Sequence, residues 1–212
     1  MKTRFSGIGG LVAVGAVVVG FGAGCDGLEP GDEAEGVEQT SSELVTFPTQ
    51  FTLRNYQTRL CLGVAAGNPN PGSKMVVWNC DGTANQNFQA VNIGDGYWTQ
   101  VKNMVGTNRC LDMTRGQYVT YTNGTTNDID LCDKTYPIYW HLMSPSNDAF
   151  GVPPIRDAYG HTCYQFMGSY GPTNKPLVMG VSGGNTAPGT AVIMWETFNS
   201  NVSHPDQYWC IY

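Results

Sequence analysis

The chain reads Cys61-Leu62-Gly63-Val64, then Gly72, then Val76-Val77-Trp78-Asn79-Cys80, then Gln86-Asn87-Phe88, and this order of landmarks returns twice. The second passage runs Cys110-Leu111-Asp112-Met113, Gly124, Ile129-Asp130-Leu131-Cys132 and Ile138-Tyr139-Trp140. The third runs Cys163-Tyr164-Gln165-Phe166, Gly189, Val192-Ile193-Met194-Trp195 and Gln207-Tyr208-Trp209. Gly72 to Trp78, Gly124 to Asp130 and Gly189 to Trp195 are each six residues apart, and Gly72 to Phe88 and Gly124 to Trp140 are each sixteen apart. The third passage stretches that last interval to twenty and lengthens the step from Cys to Gly. Both extensions lie in Gly-, Pro-, Asn- and Ser-rich sequence, where loop growth costs little.

Composition agrees with short strands around turns. Only 13% of the 212 residues are charged, while Gly (27) and Pro (12) are abundant and Val, Thr, Tyr and Trp fill the runs between them. That mixture predicts an all-β chain without long helices. A single unit of about 45 to 60 residues cannot cover its own apolar face, whereas three can close into a barrel around a shared core.

The net charge of −6 is unevenly spread. Residues 26–49 hold seven acids (Asp26, Glu29, Asp32, Glu33, Glu35, Glu38, Glu43) and no base, whereas from residue 50 onward ten acids meet nine bases. The repeat region is close to neutral and is expected to have no basic cluster, which argues against nucleic acid as a partner.

Ahead of it, Lys2 and Arg4 precede an apolar run from Ile8 to Phe21 that ends in Gly22-Ala23-Gly24-Cys25. This is the layout of an export signal, and Cys25 after small residues resembles the lipobox of bacterial lipoproteins. The resemblance implies a signal peptide over 1–24 and a lipid on Cys25 that anchors the protein in a bacterial cell envelope. Gly22 stands where that box usually has an aliphatic residue, so cleavage near Ala23 to a secreted protein is the alternative. Residues 25–48 are expected to be a flexible acidic tether.

The steps Gln86-Asn87-Phe88, Gln207-Tyr208-Trp209 and Ile138-Tyr139-Trp140 resemble the QxW repeat of ricin-B-type β-trefoil lectins. The resemblance spans residues 49–212, with repeats over about 49–95, 96–147 and 148–212. It implies a β-trefoil with the closing aromatics Phe88, Trp140 and Trp209 in the barrel core. It also implies carbohydrate binding, because a sugar needs an aromatic platform for its ring face and acid or amide groups for its hydroxyls. In the family each unit supplies an Asp just after its first Cys, an aromatic before its second Cys, and an Asn-Gln pair leading into QxW.

Carried across, the first unit offers Trp78, Asn85 and Gln86 but has Gly63 in the Asp position. The second keeps Asp112, but Asp130 replaces the aromatic and Pro137-Ile138 the amide pair. The third offers Trp195, Asp206 and Gln207, with Gln165 where Asp is expected. The third site ranks first and the second is expected to be silent. Each residue also has a plainer reading: Gln86 and Gln207 as holders of backbone turns, Trp78 and Trp195 as packing groups, Asp112 as a turn cap.

Six cysteines remain after Cys25, and spacing alone leaves fifteen pairings open. The repeat suggests Cys61–Cys80, Cys110–Cys132 and Cys163–Cys210, and an exported chain would keep them as disulfides that support the fold. His141, His161 and His204 are scattered, no Cys/His group has metal-site spacing, and no G-x-S-x-G elbow or phosphate loop occurs. No metal, cofactor or catalytic centre is therefore expected. Asp128 and Asp130 would share one face of a strand, the nearest approach to a catalytic carboxylate pair. The expected function is a lectin-like module for a glycan or polysaccharide. The alternative is a trefoil kept as a scaffold for protein contact after its sugar sites were lost.

Overall fold

The computed structural model describes residues 47–92, 98–114, 121–133, 139–143, 155–171, 173–197 and 204–212. The export signal, Cys25, nearly all of the tether and Pro137-Ile138 lie outside the described residues. Phe47, assigned to the tether from sequence, packs on the core with its ring centroid 5.1 Å from that of Phe51.

The described residues form twelve strands: β1 (Leu53–Asn55), β2 (Cys61–Val64), β3 (Ser73–Trp78), β4 (Phe88–Asn92), β5 (Trp98–Asn103), β6 (Arg109–Met113), β7 (Asn127–Leu131), β8 (Trp140–Met143), β9 (Cys163–Tyr170), β10 (Pro176–Val181), β11 (Val192–Glu196) and β12 (Trp209–Ile211). Six of them close a ring through antiparallel pairs β4–β5, β5–β8, β8–β9, β9–β12 and β12–β1. The last gap is bridged just ahead of β1, where Phe51 and Phe88 exchange backbone hydrogen bonds of 2.9 and 2.8 Å. Closure leaves the barrel without a free edge.

The other six strands make three hairpins, β2–β3, β6–β7 and β10–β11, which cap the barrel. They join one another cyclically through Lys74↔Asp128, Thr126↔Ile193 and Val76↔Ala191. Four strands per unit, repeated three times, make this a β-trefoil.

The hairpins alternate as half-buried strands should. On β3, Met75 and Val77 point into the core while Trp78 faces out; on β11, Val192 and Met194 point in and Trp195 out. Phe88, Trp140 and Trp209 are fully buried. Two of them carry a second role. The indole N–H of Trp140 donates to the Leu111 carbonyl (3.1 Å) and that of Trp209 to the Met179 carbonyl (2.9 Å), which ties each barrel strand to the hairpin of its own repeat.

The six cysteines form Cys61–Cys80, Cys110–Cys132 and Cys163–Cys210. The third bond is of another kind. Cys163 and Cys210 face each other on barrel strands β9 and β12, whereas Cys61 and Cys110 belong to hairpin strands β2 and β6. The sequence comparison therefore aligned the third repeat one strand early. Val178↔Trp195 is the counterpart of Cys61↔Trp78 and Cys110↔Asp130. Measured from Val178, Gly189 follows after eleven residues, the same step as Cys61 to Gly72. The apparent extension between Cys163 and Gly189 is mostly strand, not loop.

Candidate carbohydrate sites

With the register corrected, Gly63, Asp112 and Gly180 are equivalent, paired across their hairpins with Val76, Asp128 and Ile193. Gln165 therefore does not occupy the Asp position of the third repeat; Gly180 does. The mistake has a physical origin. Cysteine marks any place where two strands lie close enough to bond, and in this repeat that place is the barrel wall.

Facing Gly180, a short 3-10 turn (Pro205–Gln207) ends in β12. Pro205 presets the first turn dihedral, and the Gln207 N–H closes the turn on the His204 carbonyl at 3.0 Å. The turn lowers Asp206 over the glycine. A Cβ at position 180 would lie 3.3 Å from Asp206 Oδ2 and 3.1 Å from Gln207 Cγ. The carboxylate that the strand lacks is thus supplied from the opposite wall, into space where a Cβ at position 180 would fit tightly.

Together with Trp195, His204 and Gln57 these residues line a pocket of about 400 Å³. Trp195 presents its ring at 43% exposure. Burial pushes the Asp206 carboxyl above the ordinary carboxylate range, with a hydrogen bond from its own backbone and the nearby His204 acting in the other direction. Gln165 stands behind this wall, buried. Its Nε2 donates to Thr197 Oγ1 (3.0 Å) and Gln207 Oε1 (3.3 Å), so it orients Gln207.

The first repeat has the same plan with an uncharged acceptor. A 3-10 turn (Ala84–Gln86) brings Asn85 and Gln86 against Gly63, where a Cβ would lie 3.4 Å from Asn85 Nδ2 and 3.1 Å from Gln86 Cγ. Asn85 accepts a hydrogen bond from the Thr83 hydroxyl. Gln86 is committed to the backbone, donating to the Asn79 carbonyl (2.7 Å) and accepting from the Asp81 N–H (3.0 Å). Trp78 is 47% exposed, and a Cβ on Gly189 would lie 3.2 Å from its ring.

In the second repeat the equivalent face carries Asp112, Asp128 and Asp130 and no aromatic. Asp112 is buried and accepts the Met113 N–H at 2.8 Å. Asp128 accepts from Thr114 Oγ1 at 2.8 Å and lies 3.7 Å from Lys74 Nζ. Burial nonetheless raises its carboxyl above the ordinary range, opposed by Thr114 and Lys74 and assisted by the charge of Asp130. Among the described residues, no group of three or more His, Cys, Asp or Glu side chains could hold a metal ion.

Two further residues shape the sites and were not singled out from sequence. Asn103 Nδ2 donates to the Asn85 carbonyl (2.9 Å) and also reaches that of Asn87 (3.4 Å). Asn55 Nδ2 donates to the carbonyls of Asp206 (2.7 Å) and Tyr208 (3.2 Å). Both are fully buried, and each clamps the 3-10 turn that delivers a site residue. Their signal was a small repeat, Arg54-Asn55 and Lys102-Asn103, six and seven residues ahead of Cys61 and Cys110. Gly168 takes that place in the third β5-type strand: it is one register step beyond His141↔Met167, and a Cβ there would lie 3.3 Å from the Trp140 ring.

A family model described as ricin-type beta-trefoil lectin domain-like matches residues 43–129. No curated protein sequence matches the chain. Among solved structures, the chain is similar to the designed threefold-symmetric protein ThreeFoil (15% identity, TM-score 0.58, covering 77% of this chain and 98% of that one). It is similar as well to the Rhizoctonia solani agglutinin (15% identity, TM-score 0.55, 79% and 96%). A third is the Macrolepiota procera ricin B-like lectin in complex with lactose (16% identity, TM-score 0.54, 79% and 96%). At these identities the likeness is one of fold.

Proposed function

We propose that this ricin-type β-trefoil lectin-like domain is a carbohydrate-binding module, not an enzyme, with its principal site in the third repeat. The observation that carries the reading is the relocated carboxylate: Asp206 stands over Gly180, opposite the exposed ring of Trp195. A sugar ring stacked on Trp195 would direct hydroxyls toward Asp206, where charge-assisted hydrogen bonds are stronger than neutral ones. The first repeat is a second, uncharged site built on Trp78 and Asn85. The second repeat is silent for want of a platform, its carboxylates being occupied by Thr114, Lys74 and the strand backbone.

Export and anchoring through a lipid on Cys25 are part of the same proposal. Display of many copies on one surface would convert weak single sites into useful avidity.

The test is a glycan-array screen of the purified protein beside its Trp195→Ala variant. Binding that the substitution removes supports the module and its third-repeat site. Silence of the folded protein across a broad array would overturn the reading in favour of a scaffold for protein contact.

A further inference from the structure

The turn between β1 and β2 gives Gln57 to the third-repeat pocket, where Gln57 Nε2 also donates to the Gly184 carbonyl at 3.2 Å. Two residues further on, Arg59 adopts φ +62°. Left-handed backbone is costly for any side chain except glycine and, less so, asparagine. The other described non-glycine residues near this φ are Ala66, Asn108 (two residues before Cys110, as Arg59 is two before Cys61) and Asn174. An arginine held where asparagine serves the equivalent turn indicates a demand other than turn formation.

Its surroundings show what that demand is. The Arg59 guanidinium lies over the Tyr56 ring, 5.2 Å from the centroid, and forms no hydrogen bond or ion pair among the described residues. Arg54 joins it: Arg54 Nε donates to the Arg59 carbonyl at 2.7 Å, and its guanidinium lies 5.5 Å from the centroid of Tyr212. Tyr56 and Tyr212 pack in turn on the buried cluster of Cys163, Tyr208 and Cys210. The acid beside Tyr212 is already engaged. Asp157 is buried and accepts from the Tyr212 hydroxyl, from the N–H groups of Tyr159 (2.9 Å) and His161 (3.0 Å), and faces His161 Nδ1 at 3.3 Å. Unlike Arg59, Arg109 spends its guanidinium on the carbonyls of Pro69, Thr107 and Asn108.

The geometry points to a subsite, formed by Arg54 and Arg59 beside the third-repeat pocket, for an anionic substituent (carboxylate or sulfate) on the bound polysaccharide. Aromatic stacking orients a guanidinium while leaving its N–H edge for a planar or tetrahedral oxyanion. Arg59 is at most about 7 Å of chain from Gln57, which lines that pocket. The subsite makes an acidic polysaccharide the ligand class. It rests on the carbohydrate reading of the pocket.

The test measures binding of the whole protein to polygalacturonate and its methyl ester, and to dextran sulfate and dextran, at low and moderate salt. The wild type is expected to prefer at least one charged polymer over its neutral partner, and the preferred pair identifies the substituent. Arg59→Asn, which installs the residue the equivalent turn carries, and Arg54→Gln should each weaken that binding about five- to tenfold. Lys102→Gln, a remote base on β5, should change it less than about twofold. Three results overturn the subsite: no preference for a charged polymer, variants that bind as the wild type does, or an equal loss in Lys102→Gln. Trp195→Ala separates the two readings. Loss of charged-polymer binding in Arg59→Asn but not in Trp195→Ala would keep the arginine subsite and sink the pocket.

Discussion

The backbone N–H of Gly189 lies 2.7 Å from the carbonyl oxygen of Val77, so the third hairpin hangs from the first. Gly72 makes the same bond to Ile129 (2.7 Å) and Gly124 to Met194 (2.9 Å), which closes the cycle. Each glycine sits at φ between +82° and +90°, where a side chain is strained. The fixed six-residue step from these glycines to Trp78, Asp130 and Trp195 is the spacing that sets the turn against the next hairpin.

These three glycines are not equally replaceable. A Cβ at Gly72 or Gly124 meets nothing within 4 Å, whereas at Gly189 it would meet the Trp78 ring at 3.2 Å. Gly72→Ala should cost about 1 kcal/mol from backbone strain alone. Gly189→Ala should cost more and shift the tryptophan fluorescence by moving Trp78. Denaturant melts of both variants check this, and equal costs with unchanged fluorescence would refute it.

Asn55 and Asn103 should behave as paired clamps. Replacing either by Ala leaves buried carbonyls without their donor and should lower stability by about 2–3 kcal/mol. The functional effects should separate: Asn55→Ala weakens glycan binding at the third repeat, Asn103→Ala at the first. Titrations in a Trp78→Ala or a Trp195→Ala background read each site alone.

Asn127 is the polar intruder of the cap. It follows Gly124 by three residues, as Met75 follows Gly72 and Val192 follows Gly189. It is fully buried, and its Oδ1 has no hydrogen-bond partner among the described residues, while Nδ2 reaches the Asp112 carbonyl at 3.4 Å and Met194 Sδ at 3.2 Å. Asn127→Val, which copies the third repeat, should stabilise the domain by about 1 kcal/mol or leave it unchanged. A clear loss in thermal stability would show that the amide is needed.

Asp128 gives the domain a pH signature. Its folded carboxyl titrates above the ordinary range because burial penalises the charge more than Thr114 and Lys74 relieve it. Between the unfolded and the raised folded value, the native state holds more protons than the unfolded chain, so stability falls as pH rises through that window. Asp128→Asn should flatten this part of the stability profile, and its advantage should be greatest above the window. Melts across the mildly acidic range, with Asp130→Asn as a control for its repulsion, provide the comparison.

Much of this molecule was legible in its residues. The Gly72, Gly124 and Gly189 spacing is a local period, and the resemblance it supports put Phe88, Trp140 and Trp209 in the core; Trp78 and Trp195, open between platform and packing group, face outward. Gln86 also holds a turn, one of the two roles open to it. The position of Gln165 was misread, because Cys163 looked like the start of a hairpin and is instead part of the barrel wall. Asn55 and Asn103 were missed, since a single polar residue at a strand end carries no pattern until its distant carbonyls are seen.

By itself, the sequence determined a threefold all-β chain with six cysteines set for disulfides, because repetition, composition and cysteine content are properties of neighbouring residues. Only the tertiary structure decided which strand each cysteine joins, that Gly180 leaves room for Asp206, and that Gln57 of the first repeat borders a pocket of the third. Those relations join residues up to about 150 positions apart. They are set by how the barrel closes and how the hairpins meet, and no local pattern records such a meeting.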